Sequence, residues 1–155
     1  MSVLIFGWGN PSRGDDALGP ALIERIEAAL PHHPEWGAVA LLTDFQLQPE
    51  HALDLEGRRR VLFVDASVSC APPYVFDRLQ PSRDFGYTTH AMQPEALLAV
   101  FRQVTGGDPP PAWLLTLRGE SFELGDPLGA AARAHLEASA TFVESLLSGE
   151  WQRFA

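Results

Sequence analysis

The sequence is poor in cysteine, in basic residues and in long apolar runs, and each shortage excludes something. A single cysteine, Cys70, rules out an intrachain disulfide and any cysteine-cluster metal site. It also fits a reducing compartment, so the cytoplasm is the expected location. No stretch of 18 or more apolar residues occurs, which excludes a transmembrane helix. The opening Met1-Ser2-Val3-Leu4-Ile5-Phe6 has no basic n-region and reads as a first strand, not a signal peptide. Eleven basic residues stand against 20 acidic ones, a formal net charge of −9. Nucleic-acid binding needs a positive footprint, so a polyanionic partner is not expected. What is present is ordinary for a globular protein: 155 residues, 46% apolar and 20% charged, enough for one domain with a real core. There is no internal repeat. The expectation is a single domain over residues 1–155, a monomer, with 150–155 as a loose tail.

Four short runs are apolar on both faces: Val3–Phe6, Val39–Leu42, Val61–Val64 and Trp113–Leu117. Such runs suit central strands of a parallel sheet covered by helices on both sides. A fifth run, Tyr74–Phe76, follows Pro72-Pro73 and alternates with charge, which places it at an edge. Helical periodicity marks Asp16–Leu30, Gln93–Val104 and Pro127–Leu147, with a weaker segment at Pro49–Leu55. Alternation of strands and helices predicts an α/β fold, a three-layer helix–sheet–helix sandwich with a mainly parallel sheet of about five strands.

In open α/β sheets, ligands bind beyond the carboxyl ends of the strands. Three segments reach that edge: the loop Gly7–Asp16, the strand ending at Asp65, and Tyr87-Thr88-Thr89-His90 before a helix. Gly7-Trp8-Gly9 resembles the start of a dinucleotide fingerprint, but Ser12 stands where the third glycine belongs. The acidic pair Asp15-Asp16 would also repel a pyrophosphate. Capping of the first helix is the plain reading of Asp15. Asp16, Asp65 and His90 together offer two carboxylates and an imidazole, a mixed ligand set for a divalent transition metal. Separately, Asp65 has a plain role as a turn cap, and His90 as a surface or capping residue. Asp44, ending a strand, is a candidate supporting acid, with Thr88 or Thr89 as donors to the ligands. The remaining candidates have bland explanations. His32-His33 lies in a solvated turn, His51 and His135 line helix surfaces, Cys70 is a small hydrophobe, and Arg58-Arg59-Arg60 is a solvated turn that an acidic partner could touch.

The pattern Gly7-Trp8-Gly9-Asn10, four further residues, then Asp15-Asp16-Ala17-Leu18-Gly19 resembles the opening signature of the hydrogenase maturation proteases. Phe63-Val64-Asp65-Ala66 and Thr88-Thr89-His90 follow in the family's order, so the likeness runs from about residue 2 to about residue 147. The resemblance implies a helix–sheet–helix sandwich and an endopeptidase that trims the C-terminal extension from a [NiFe] hydrogenase large-subunit precursor. It puts the family's metal-binding positions on Asp16, Asp65 and His90, which would recognise nickel already installed in the precursor. The segment Asp44–Glu50 is bulkier than the family's glycine-rich stretch and is similar to the branch serving soluble, NAD-reducing hydrogenases. Two other readings compete: a non-catalytic nickel-binding maturation chaperone, and a nucleotide-binding α/β domain using Gly7 and Gly9.

Overall fold

The computed structural model describes residues 1–82 and 92–154. Five strands form one sheet: β1 (Val3–Trp8), β2 (Val39–Asp44), β3 (Arg60–Ser67), β4 (Tyr74–Arg78) and β5 (Ala112–Arg118). The order is β2-β1-β3-β5-β4, with β4 antiparallel at the edge and every other pairing parallel. Helices α1 (Leu18–Ala29), α2 (Pro94–Thr105) and α3 (Ala130–Leu147) flank it, together with a 3₁₀ segment at Pro49–Leu55.

The two-residue period of the strands divides the core in two. Val3 and Ile5 of β1, Leu62 and Val64 of β3, and Trp113, Leu115 and Leu117 of β5 face α1 and α3. Leu4 and Phe6, Val61 and Phe63, and Ala112 face α2 and the 3₁₀ segment. Both faces are apolar because both are covered, so the central strands read as continuous hydrophobic runs. Each expected element is present, and the strands extend one to three residues past the apolar runs.

The C-terminal tail is not loose. Residues Glu150–Phe154 form a 3₁₀ turn, and Trp151 is only 1% exposed. Its ring packs edge-on against Trp113 at 5.4 Å, and Phe154 lies 5.0 Å from Phe76. Two aromatic side chains in five residues supply enough apolar area to dock the segment. Among the described residues, no helix is long and apolar enough to cross a membrane.

Candidate active site at the carboxyl edge of the sheet

Asp16 occupies a 3₁₀ turn, Gly14–Ala17, between the loop leaving β1 and the first residue of α1. The spacing of the glycine motif has a steric cause. Gly9 has φ +148°, and a Cβ there would lie 2.0 Å from the Asp16 carbonyl oxygen. Gly7 and Gly19 face each other across β1 and α1, where a Cβ on Gly19 would come within 2.4 Å of the Trp8 carbonyl. These glycines let the helix start against the strand end and bring Asp16 back over the loop.

The Asn10 backbone N–H donates to Asp16 Oδ2 at 2.8 Å, fixing that carboxylate. The same bond argues against a phosphate cradle, because a protein carboxylate already occupies an amide donor of the glycine loop. Gly9 N–H donates to the Asp44 carbonyl at 3.1 Å, tying the loop to the end of β2.

Asp65 lies in β3 one residue past its last pairing with β1, opposite Thr116 of β5. The residue keeps a little surface, but burial of its carboxyl pushes its pKa up to about 7. The Ala66 N–H, donating to Oδ1 at 2.8 Å, pulls the other way, and the Asp16 charge adds to the upward push. Asp16 and Asp65 therefore lie in one electrostatic field at one sheet edge, and a cation between them would relieve both desolvation and repulsion. His90, Thr88 and Thr89 lie outside the described residues. Among the described residues, no group of three or more His, Cys, Asp or Glu side chains is placed to hold a metal ion.

The role expected for Asp15 is corrected. It makes no helix cap; its carboxylate turns inward, 3% exposed, and accepts backbone N–H groups of Glu120 (2.7 Å), Ser121 (3.3 Å) and Gly129 (2.9 Å). Burial pushes this carboxyl up, but the donors outweigh it and hold the pKa below the ordinary carboxylate value. Asp15 thus fastens the loop between β5 and α3 to the start of α1.

Asp44 is already engaged. Its Oδ1 accepts the Phe45 N–H at 2.7 Å, and its Oδ2 lies 3.1 Å from His51 Nε2. His51 Nδ1 accepts the Gln48 N–H at 2.8 Å, so Nε2 carries the ring proton and donates it to Asp44. His51 also packs edge-on against Phe6 at 4.7 Å, so it is inside the fold and not on a helix surface as expected. A readable signal exists in the sequence: Gln48-Pro49 with His51 three residues after the cap is a capping-box spacing. His135 likewise turns inward, its Nδ1–H donating to the Arg118 carbonyl at 2.8 Å. Cys70 is half-buried with its thiol pushed up by burial, the opposite of an activated nucleophile.

Three large side chains stand exposed on loops that leave the same edge: Phe45 after β2, Val68 after β3 and Leu124 after β5, at 68%, 46% and 67%.

The chain is similar in structure to solved hydrogenase maturation enzymes. It superposes on the hydrogenase maturating endopeptidase HybD from E. coli with a TM-score of 0.72 and 26% identity, over 96% of this chain and 94% of that one. The [NiFe] hydrogenase maturation protease HycI from Thermococcus kodakarensis KOD1 gives 0.72 and 21%, over 96% and 93%. The hydrogenase 2 maturation peptidase from a Thaumarchaeota archaeon gives 0.67 and 24%, over 96% and 99%. No protein-family model and no curated protein sequence matches the chain. The likeness read from the motifs is thus borne out over almost the whole length: this is an α/β chain with the fold of the hydrogenase maturation proteases.

Proposed function

We propose that this chain is an endopeptidase that removes the C-terminal extension of a [NiFe] hydrogenase large-subunit precursor. The observation that carries the reading is that the charge of Asp16 acts on the buried Asp65 carboxyl at the carboxyl edge of a sheet shared, over 96% of the chain, with HybD. Nickel belongs to the substrate in this reading. Asp16 and Asp65, with His90, supply carboxylate and imidazole donors of the kind that suit nickel, while the precursor's own ligands complete the shell. The recognised metal reports that the precursor is ready, and it positions the scissile peptide beside the two carboxylates. With the peptide held there, one of the two carboxylates takes a proton from the attacking water. Exposed Phe45, Val68 and Leu124 supply apolar contacts around this edge for a protein substrate. The reading includes a cytoplasmic location and a monomer. For the precursor subgroup, the bulky Asp44–Glu50 segment supports a soluble, NAD-reducing hydrogenase.

The test is direct. The purified protein is mixed with nickel-loaded precursor and the precursor is weighed by mass spectrometry. Loss of a C-terminal peptide is expected, and precursor without nickel should stay uncut. A stable complex with no change in mass would make the protein a chaperone and end the protease reading. Tight binding of NAD in place of precursor would point to a nucleotide-binding domain. Precursors of soluble and membrane-bound hydrogenases, offered in parallel, test the subgroup.

A further inference from the structure

The opposite edge of the sheet, at the amino ends of the strands, holds a second feature. A cavity of about 440 Å³ opens between the start of β1, the turn at Trp36-Gly37, the start of β3 and the residues following α3. Arg59, Arg60 and Trp151 line it, and among the described residues the only carboxylate in its lining is that of Glu35. The Glu35 carboxylate is bonded to His33 Nδ1 at 2.8 Å.

Three observations give this cavity a chemical preference. First, all 11 basic residues of the chain are arginines, against 20 acidic residues. Arg25, Arg102, Arg118 and Arg153 each lie within ion-pair distance of a carboxylate. Among the described residues, neither Arg59 nor Arg60 does. Arg13, Arg58, Arg78 and Arg133 lack one as well among those residues; what sets Arg59 and Arg60 apart is that both line this one cavity, where their charges add. Second, the Arg60 guanidinium sits over the Trp151 ring, 5.6 Å from its centroid. That contact takes none of its N–H donors into a hydrogen bond, and among the described residues they have no acceptor. Burial, and then the neighbouring Arg59 charge, push Arg60 below its ordinary range, and an anion would relieve the repulsion. Third, Trp151 is 1% exposed and its indole N–H has no acceptor among the described residues. A buried donor left unsatisfied carries a desolvation cost, which an arriving oxygen would remove once a small shift of the cavity wall admits it.

We propose that this cavity binds a small oxyanion, a phosphate group or a polycarboxylate, held by the guanidinium forks of Arg59 and Arg60 with the Trp151 indole N–H as a further donor. Bidentate donation from arginine suits both chemistries. The site is at the opposite end of the strands from Asp16 and Asp65 and does not depend on the protease reading.

The test follows the indole N–H signals of the four tryptophans in ¹H–¹⁵N spectra of the full chain, with W151F assigning Trp151. Sodium phosphate and sodium citrate are titrated separately against sodium chloride of equal ionic strength. A saturable shift of the Trp151 signal is expected with at least one of the two, weakened at least tenfold in R59Q/R60Q. Saturation by phosphate alone assigns a phosphate-bearing ligand, and by citrate alone a polycarboxylate. Should R60Q disturb the fold by removing the cation over Trp151, the single variant R59Q, at an exposed position, carries the comparison. Failure of both anions to saturate, or affinities unchanged in R59Q, overturns the site.

Discussion

Asp15 and Gly129 are 114 positions apart, yet the Gly129 N–H donates to Asp15 Oδ1 at 2.9 Å. That bond closes the loop after β5 onto the turn that carries Asp16. A buried carboxylate with several amide donors is costly to disturb, because truncation leaves each donor unsatisfied. D15A is expected to lose on the order of 3 kcal/mol in urea denaturation. The pH dependence has a definite sign. The folded pKa is depressed below 3.8, so Asp15 contributes its full stability above that value and loses it as pH falls through the folded pKa. Wild-type stability should therefore drop more steeply than that of D15N below about pH 4.

Gly9 admits no side chain. Its φ is +148°, and a methyl carbon added there would sit 2.0 Å from the Asp16 carbonyl oxygen, so G9A must displace the turn that holds Asp16. The expected loss is roughly 2 kcal/mol or more, with precursor cleavage reduced beyond the change in folded fraction. Thermal unfolding and the cleavage assay, run on one preparation, separate the two effects. Cleavage at the wild-type rate would mean that Asp16 tolerates the shift.

Asp65 should be a liability to the metal-free protein at alkaline pH. Its folded pKa is about 7 against an ordinary 3.8. Its contribution is therefore fully present below pH 3.8 and lost as pH rises through 7. D65N is expected to be more stable than wild type at pH 8 by roughly 2–4 kcal/mol, with the gap closing below pH 4, and to be unable to process precursor. Equal denaturation midpoints at pH 8 would count against a desolvated Asp65 carboxyl.

Replacing two of the three proposed metal-recognition groups one at a time distinguishes recognition from folding. D16A and H90A should each lower cleavage of nickel-loaded precursor by at least about 100-fold, as removal of a reacting-site group commonly does. D16A loses only one hydrogen bond to a loop amide, so its melting temperature should fall by a few degrees at most. Wild-type processing by both variants would remove the nickel-recognition reading.

Trp151 anchors the final turn, and W151A is expected to cost about 3–5 kcal/mol, the range for emptying a large aromatic from a core. Chemical denaturation measures it. A loss below about 1 kcal/mol would show the tail to be as loose as its position at the chain end suggests.

The elements are legible in the sequence in a way that the site is not. The doubly apolar runs at Val3, Val61 and Trp113 announce strands covered on both faces, and the three-to-four spacing of Leu18, Leu22 and Ile26 announces the helix over them. The glycine motif carries its own steric signature. Asp15 and Asp16 are harder, because adjacent acids at a helix start look alike in one dimension. One turns in to meet amides more than a hundred positions away, and the other accepts a neighbouring loop amide while its charge acts on Asp65. His51 escapes the sequence reading because helical periodicity says nothing about a ring that reaches back to Phe6 and Asp44. Trp151 escapes it because a terminal position argues for disorder, whereas the apolar area of the ring argues for docking.

Periodicity and local sterics are written in neighbouring residues, so the α/β class, the covered parallel sheet and the glycine-bounded loop after β1 were settled by the sequence itself. Which acid faces the core and which the crevice, the raised pKa of Asp65, and the burial of the last turn depend on groups that meet only after the chain has folded. Burial and electrostatic fields are properties of that assembled surrounding, and no stretch of sequence contains it.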